Sequence, residues 1–129
     1  MNDKRKIPLA DLAVQYQALK AEIDAAIAAV VGSTAFIRGG AVADFERAFA
    51  TYCGVKSAVG TGNGTDAIYL ALRALGVGPG DEVITVSHTF VGTVEGIVLT
   101  GARPVFVDVD EDALLMNPDL IEEAVTPNT

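Results

Sequence analysis

One cysteine, one histidine and nine basic residues are all that the 129-residue chain contains of each, and every shortage closes off a class of function. The single Cys53 cannot form an internal disulfide, and no second cysteine or nearby histidine joins it in a metal site. In Tyr52-Cys53-Gly54, at the end of an amphipathic stretch, it reads as buried filler. Nine Lys and Arg against 17 Asp and Glu give a formal net charge of −8, which repels a polyphosphate backbone, so nucleic-acid binding is not expected. Apolar runs of signal-peptide or membrane length are also missing: the polar start Met1-Asn2-Asp3-Lys4-Arg5-Lys6 leads into Pro8 and an amphipathic segment. A soluble, cytoplasmic protein without a membrane partner is the expectation. Half of the residues are hydrophobic, enough for a modest core in one domain.

Two helices are predicted first. Leu12, Tyr16, Leu19, Ile23, Ile27 and Val30 recur every three or four residues and line one helical face, with Asp11 as its cap and Gly32-Ser33 as its end. A face of that length calls for something to pack on. After a loop to Gly39-Gly40, the residues Val42, Phe45, Phe49 and Tyr52 mark a second helix, stopped by Gly54. These make a helical opening segment, residues 1–54. Residues 55–129 then alternate. Ser57-Ala58-Val59 reads as a short buried strand, Thr65 to Leu75 as a helix ended by Gly76, and Glu82 to Val86 as a strand reached through the turn Gly78-Pro79-Gly80-Asp81. Phe90 to Thr100 reads as a helix ended by Gly101, Pro104 to Val107 as a strand, and Asn117-Pro118 as the cap and first position of a last short helix. Such βαβαβ order predicts an α/β fold with a mostly parallel sheet and functional loops at the carboxyl ends of its strands.

Two of those strand ends carry candidate chemistry. Gly60-Thr61-Gly62-Asn63-Gly64-Thr65-Asp66-Ala67 joins the first strand to a helix N-terminus, where unpaired N–H groups and the helix dipole favour an anion, and Thr65 adds a hydroxyl. The simpler reading is a tight turn with Thr65 as cap. The Asp66 carboxylate would repel a phosphate, so its backbone N–H is expected to serve the anion while its side chain points elsewhere. The dinucleotide fingerprint fails because position 65 is Thr and Ser87-His88 replaces a ribose-binding acid; a phosphate-binding lysine loop fails because no Gly-Lys-Ser/Thr is present. At the second strand end, Phe90 in Ser87-His88-Thr89-Phe90 offers a ring for stacking on a flat ligand, against the plainer possibility of core burial. Ser87 and His88 point to opposite faces if extended, so they do not make a nucleophile pair. Asp108, Asp110, Glu111 and Asp112 read as turn-capping carboxylates rather than a metal site.

Taken in order, Ile7-Pro8-Leu9, Phe45-Glu46-Arg47, Tyr52-Cys53-Gly54-Val55, Gly62 to Ala67, Leu75 to Ile84, Ser87 to Phe90 and Pro104 to Asp108 resemble the DegT/DnrJ/EryC/StrS family of pyridoxal-phosphate (PLP) sugar aminotransferases. The resemblance implies part of the large domain of the type I PLP-dependent aminotransferase fold, with Gly64, Thr65 and Asp66 at the PLP phosphate and Phe90 stacked on the pyridine ring. It further implies a nucleotide-linked keto sugar as substrate, an amino donor such as glutamate, and a homodimer at full length. No catalytic residue and no metal ligand is assigned within these residues. The family's Schiff-base lysine, the aspartate at its pyridine nitrogen and its small domain are expected downstream, because Lys4, Lys6, Lys20 and Lys56 all lie outside the expected strand ends. The chain alone is therefore expected to be inactive. Family relatives that act as PLP-dependent sugar dehydratases, a non-catalytic phosphate- or nucleotide-binding module, and an inert product are the other readings. In the type I fold the first strand is parted from the next two by later strands, so a gap in the sheet and poor stability are expected of this chain alone.

Overall fold

The computed structural model describes residues 7–129, and the polar start, with Lys4 and Lys6, lies outside them. The chain divides into two compact units, one ending at Gly60 and the other Thr61–Thr129.

In the first unit, α1 spans Leu12–Ser33 and α2 spans Gly40–Cys53. The Asp11 carboxylate accepts from the Val14 N–H at 3.3 Å, the expected cap. Helix α1 runs through Gly32 and ends on Thr34, whose φ of 53° turns the chain into the left-handed region. Its apolar face is uncovered: Leu12, Leu19 and Ile27 are exposed and only Ile23 and Val30 are half-buried. Helix α2 stops at Gly54, where a φ of 67° lets the Val55 N–H reach back to the Ala50 carbonyl at 3.0 Å. Phe45, Phe49 and Tyr52 stack along α2 in solvent, with ring centroids 5.5 and 6.3 Å apart. Cys53 is exposed, not buried filler, because that end of α2 has no apolar layer over it among the described residues.

The expected strand Ser57-Ala58-Val59 does not form, and Val59 is 80% exposed. A strand is held by a ladder of backbone bonds, and no partner strand is supplied to this segment among the described residues. Its end is held instead by a side chain, the Glu46 Oε1 atom accepting from the Gly60 N–H at 2.7 Å.

The second unit is a β-α-β core with a helix before it. Helix α3 is Gly64–Ala74, β1 is Glu82–Val86, α4 is Val91–Leu99 and β2 is Arg103–Val107. Strands β1 and β2 pair in parallel from Glu82 opposite Arg103 to Val86 opposite Val107, as the crossover helix α4 requires. The turn before β1 is clamped by Asp81, whose N–H donates to the Gly78 carbonyl (3.1 Å) and whose Oδ2 accepts from the Gly78 N–H (2.8 Å). Gly101 ends α4 at a φ of 89°, and a Cβ there would stand 2.8 Å from Pro79 Cγ. Ile97, 1% exposed, is the centre of the core, with Thr85, Thr100, Ala102 and Val107 buried around it. Asn117 caps the 3₁₀ turn Pro118–Leu120 through Asp119 N–H, and the four-residue α5, Ile121–Ala124, follows. Among the described residues no helix is long and apolar enough to cross a membrane.

Candidate functional site

The glycine loop delivers the chain into α3 by a cap two residues before the Thr65 of the tight-turn reading. Asn63, not Thr65, is the N-cap: its Oδ1 accepts from the Asp66 N–H at 2.9 Å. In return, Asp66 Oδ2 accepts from Asn63 Nδ2 at 3.0 Å, a reciprocal lock at capping-box spacing. The Asp66 N–H is thus engaged by the Asn63 side chain. Its carboxylate folds back over the loop, where a Cβ on Gly62 would come within 2.7 Å of Oδ2. The N–H groups of Gly64 and Thr65 have no hydrogen-bond partner among the described residues. These two donors and the Thr65 hydroxyl are what the helix end offers.

Phe90 stands at the N-cap of α4 with extended backbone, φ −65° and ψ 138°. Phe90 is 76% exposed, so the core reading does not hold in this chain. It shares one cavity of about 410 Å³ with Asn63, Gly64, Thr65, Ile68, Gly92 and Thr93. Sequence reasoning missed Gly92 as the residue that brings the two candidates together: a Cβ on it would lie 2.4 Å from Thr65 Oγ1 and 2.8 Å from Phe90 Cε1. The available signal was the pair Gly92 and Gly96, four residues apart on one face of α4, where bare backbone lets α3 come close. Thr93, also overlooked, carries a hydroxyl 3.0 Å from that of Thr89.

The other candidates fall to their plainer readings. Ser87 and His88 sit exposed in the bend after β1. Asp108 Oδ1 accepts from the Val109 N–H (2.8 Å), and Asp110 Oδ1 from the N–H groups of Asp112 and Ala113 (3.0 and 2.8 Å), so these carboxylates cap a turn. No group of residues able to hold a metal ion occurs among the described residues.

The open helix end and the exposed Phe90 thus line one cavity. A family model described as the DegT/DnrJ/EryC1/StrS aminotransferase family matches residues 17–129. The chain belongs to that family. The dTDP-3-amino-3,4,6-trideoxy-alpha-D-glucose transaminase of Streptomyces venezuelae is 47% identical over 124 residues, 96% of this chain and 33% of that protein. The UDP-2-acetamido-2-deoxy-3-oxo-D-glucuronate aminotransferase of Pseudomonas aeruginosa is 43% identical over 123 residues, 95% of this chain and 34% of that protein. The crystal structure of DesV from S. venezuelae superposes with a TM-score of 0.90 at 46% identity, over 98% of this chain and 34% of that one. The chain thus spans about a third of the length of the curated relatives it matches. DegT/DnrJ/EryC1/StrS aminotransferases are PLP enzymes, and solved relatives carry PLP or its amine form, PMP. The α/β reading, as a partial type I aminotransferase large domain, stands with these neighbours.

Proposed function

We propose that these residues form the cofactor-anchoring part of a cytoplasmic, homodimeric aminotransferase that moves an amino group from a donor such as glutamate to a nucleotide-linked keto sugar. The observation that carries this reading is the shared cavity, in which Thr65 and the open first turn of α3 stand beside Phe90. Gly64 and Thr65 would hold the phosphate through two backbone N–H groups and one hydroxyl, and Phe90 would lie against the ring. Asp66 would act one step back, through the lock with Asn63 that keeps the first turn in place. When bound, PLP supplies the electron sink that transamination needs. Position is what this chain contributes: a phosphate fixed at the helix end and a face fixed on the ring hold the reactive carbon in one place. The second unit contains no lysine, so the amine that would join the cofactor would come from outside that unit.

The test uses PMP, which lacks the aldehyde that would react with surface lysines. Titrated into the full-length protein and followed by ³¹P NMR, PMP should bind, and Thr65→Val and Phe90→Ala should each weaken it about tenfold while the fold is kept. Equal affinity in both variants and wild type would sink the reading.

A further inference from the structure

Thr93 lines the cavity beside Thr65 and Phe90, and the proposed function gives it no role. It is the third residue of α4, half-buried, and like the rest of the cavity it belongs to the second unit. Its hydroxyl lies 3.0 Å from that of Thr89, the residue before Phe90, and its N–H donates to the Phe90 carbonyl at 3.0 Å. Phe90 is therefore bracketed from both sides. As the N-cap of α4 it makes no side-chain bond to the helix end, so the backbone that carries the ring depends on its neighbours. On the near side, the Thr89 N–H donates to the Ser87 carbonyl at 2.9 Å and shapes the bend that leaves β1. A helical threonine divides between two rotamers, and the hydroxyl bond selects one of them for Thr93.

We propose that the hydroxyl pair of Thr89 and Thr93 is a clasp that positions Phe90: it joins the bend after β1 to the first turn of α4, and so fixes the backbone from which the ring is presented to the cofactor. Helix ends fray when little holds them, and an unclasped start of α4 would let the ring leave its place in the cavity wall. Ordering it again on binding would cost conformational entropy, and the cost would appear as weaker affinity. Neither threonine touches the cofactor in this scheme; both act through Phe90. The inference rests on the proposed cofactor site.

The experiment measures PMP affinity in the full-length protein for Thr93→Val, Thr93→Ser and Thr89→Val, and for Thr93→Val added to Phe90→Ala. Valine keeps the shape of threonine without its hydroxyl, and serine keeps the hydroxyl. The expected result is that Thr93→Val and Thr89→Val each weaken PMP binding about fivefold, while Thr93→Ser stays within about twofold of wild type. With the ring gone in Phe90→Ala, Thr93→Val should change the affinity no further, because residues that act as one unit are not additive. Wild-type affinity in Thr93→Val would overturn the proposal. A loss in Thr93→Val that Thr89→Val does not share would also overturn it, since Thr93 would then meet the cofactor directly. So would a loss that persists undiminished in the Phe90→Ala background, which marks a role independent of the ring. Failure of the underlying reading looks different, because then wild type itself binds no PMP and both fall together.

Discussion

At the scale of single residues, the helix end of α3 is the most informative place. Asn63 closes the first turn with both its amide oxygen and its amide nitrogen, and Asp66 answers with both its N–H and its carboxylate. Removing the cap by Asn63→Ala should cost about 1 kcal/mol of stability, the usual loss at an N-cap. It should also release the Asp66 amide and leave its carboxylate without its partner, close to the proposed phosphate. PMP affinity should therefore fall further than a cap lost elsewhere would predict. Chemical denaturation and PMP titration on the same variant separate the two effects. That Thr65 and Phe90 are candidates was legible in the sequence, because glycine-rich helix starts and strand-end aromatics suggest their chemistry by residue type and position, and the two line one cavity. The cap was not, because Asn, Thr and Asp all favour helix starts and only the backbone decides which one occupies the half-in position. Cys53 was misplaced for a related reason: periodicity gives a residue its face but not what covers the face.

At the scale of elements, the α3–α4 contact and the start of β1 each support a prediction. Gly92 and Gly96 present bare backbone to α3, and a Cβ on Gly96 would meet Ile68 Cβ at 3.0 Å and the Thr65 carbonyl at 3.3 Å. Alanine favours a helix over glycine by up to about 1 kcal/mol, but these neighbours are a branched carbon and main chain, and overpacking of that kind costs about 1–3 kcal/mol. Gly96→Ala should thus lower the thermal midpoint of the full-length protein; a raised one would mean that the helices part freely. The other element rests on Glu82, whose side chain is 8% exposed. It accepts from the Thr126 hydroxyl at 2.7 Å and pairs with Arg103 on the neighbouring strand, while its N–H donates to the Asn128 carbonyl at 2.8 Å. The Thr126 bond first and the Arg103 bond second hold its carboxyl below the usual carboxylate range. A lowered acid pKa means stability that is present above the ordinary range and lost as pH falls through the lowered value. The stability gap between wild type and Glu82→Gln should accordingly be largest near neutral pH and close on acidification. A gap that is constant with pH would remove the carboxylate from the account. Helices and both formed strands were readable from periodicity and glycine stops. The segment 57–59 was not, since so short a run becomes a strand only where another strand pairs with it.

At the scale of the whole molecule, the accounting of surface decides how the chain behaves by itself. Much of the surface of each unit is apolar: Leu12, Ile27, Phe45, Phe49 and Val59 in the first and Phe90 and Phe106 in the second are all exposed, and Ile97 is the one large side chain that is fully buried among the described residues. The backbone adds its own demand, because β1 and β2 pair only with each other, and two strands with open outer edges are marginal in water. Entropy lost on ordering the chain grows with its length, whereas few side chains are fully buried to offset it among the described residues. Expressed alone, the 129 residues should therefore bind a hydrophobic dye, sediment as mixed oligomers and melt without a cooperative transition. Covering those faces should reverse all three, so the same residues within a chain of the relatives' length should melt sharply. A monomeric 129-residue chain with a single steep transition and no dye binding would show that the uncovered faces of α1 and α2 find partners within the chain itself, and the surface argument would fail.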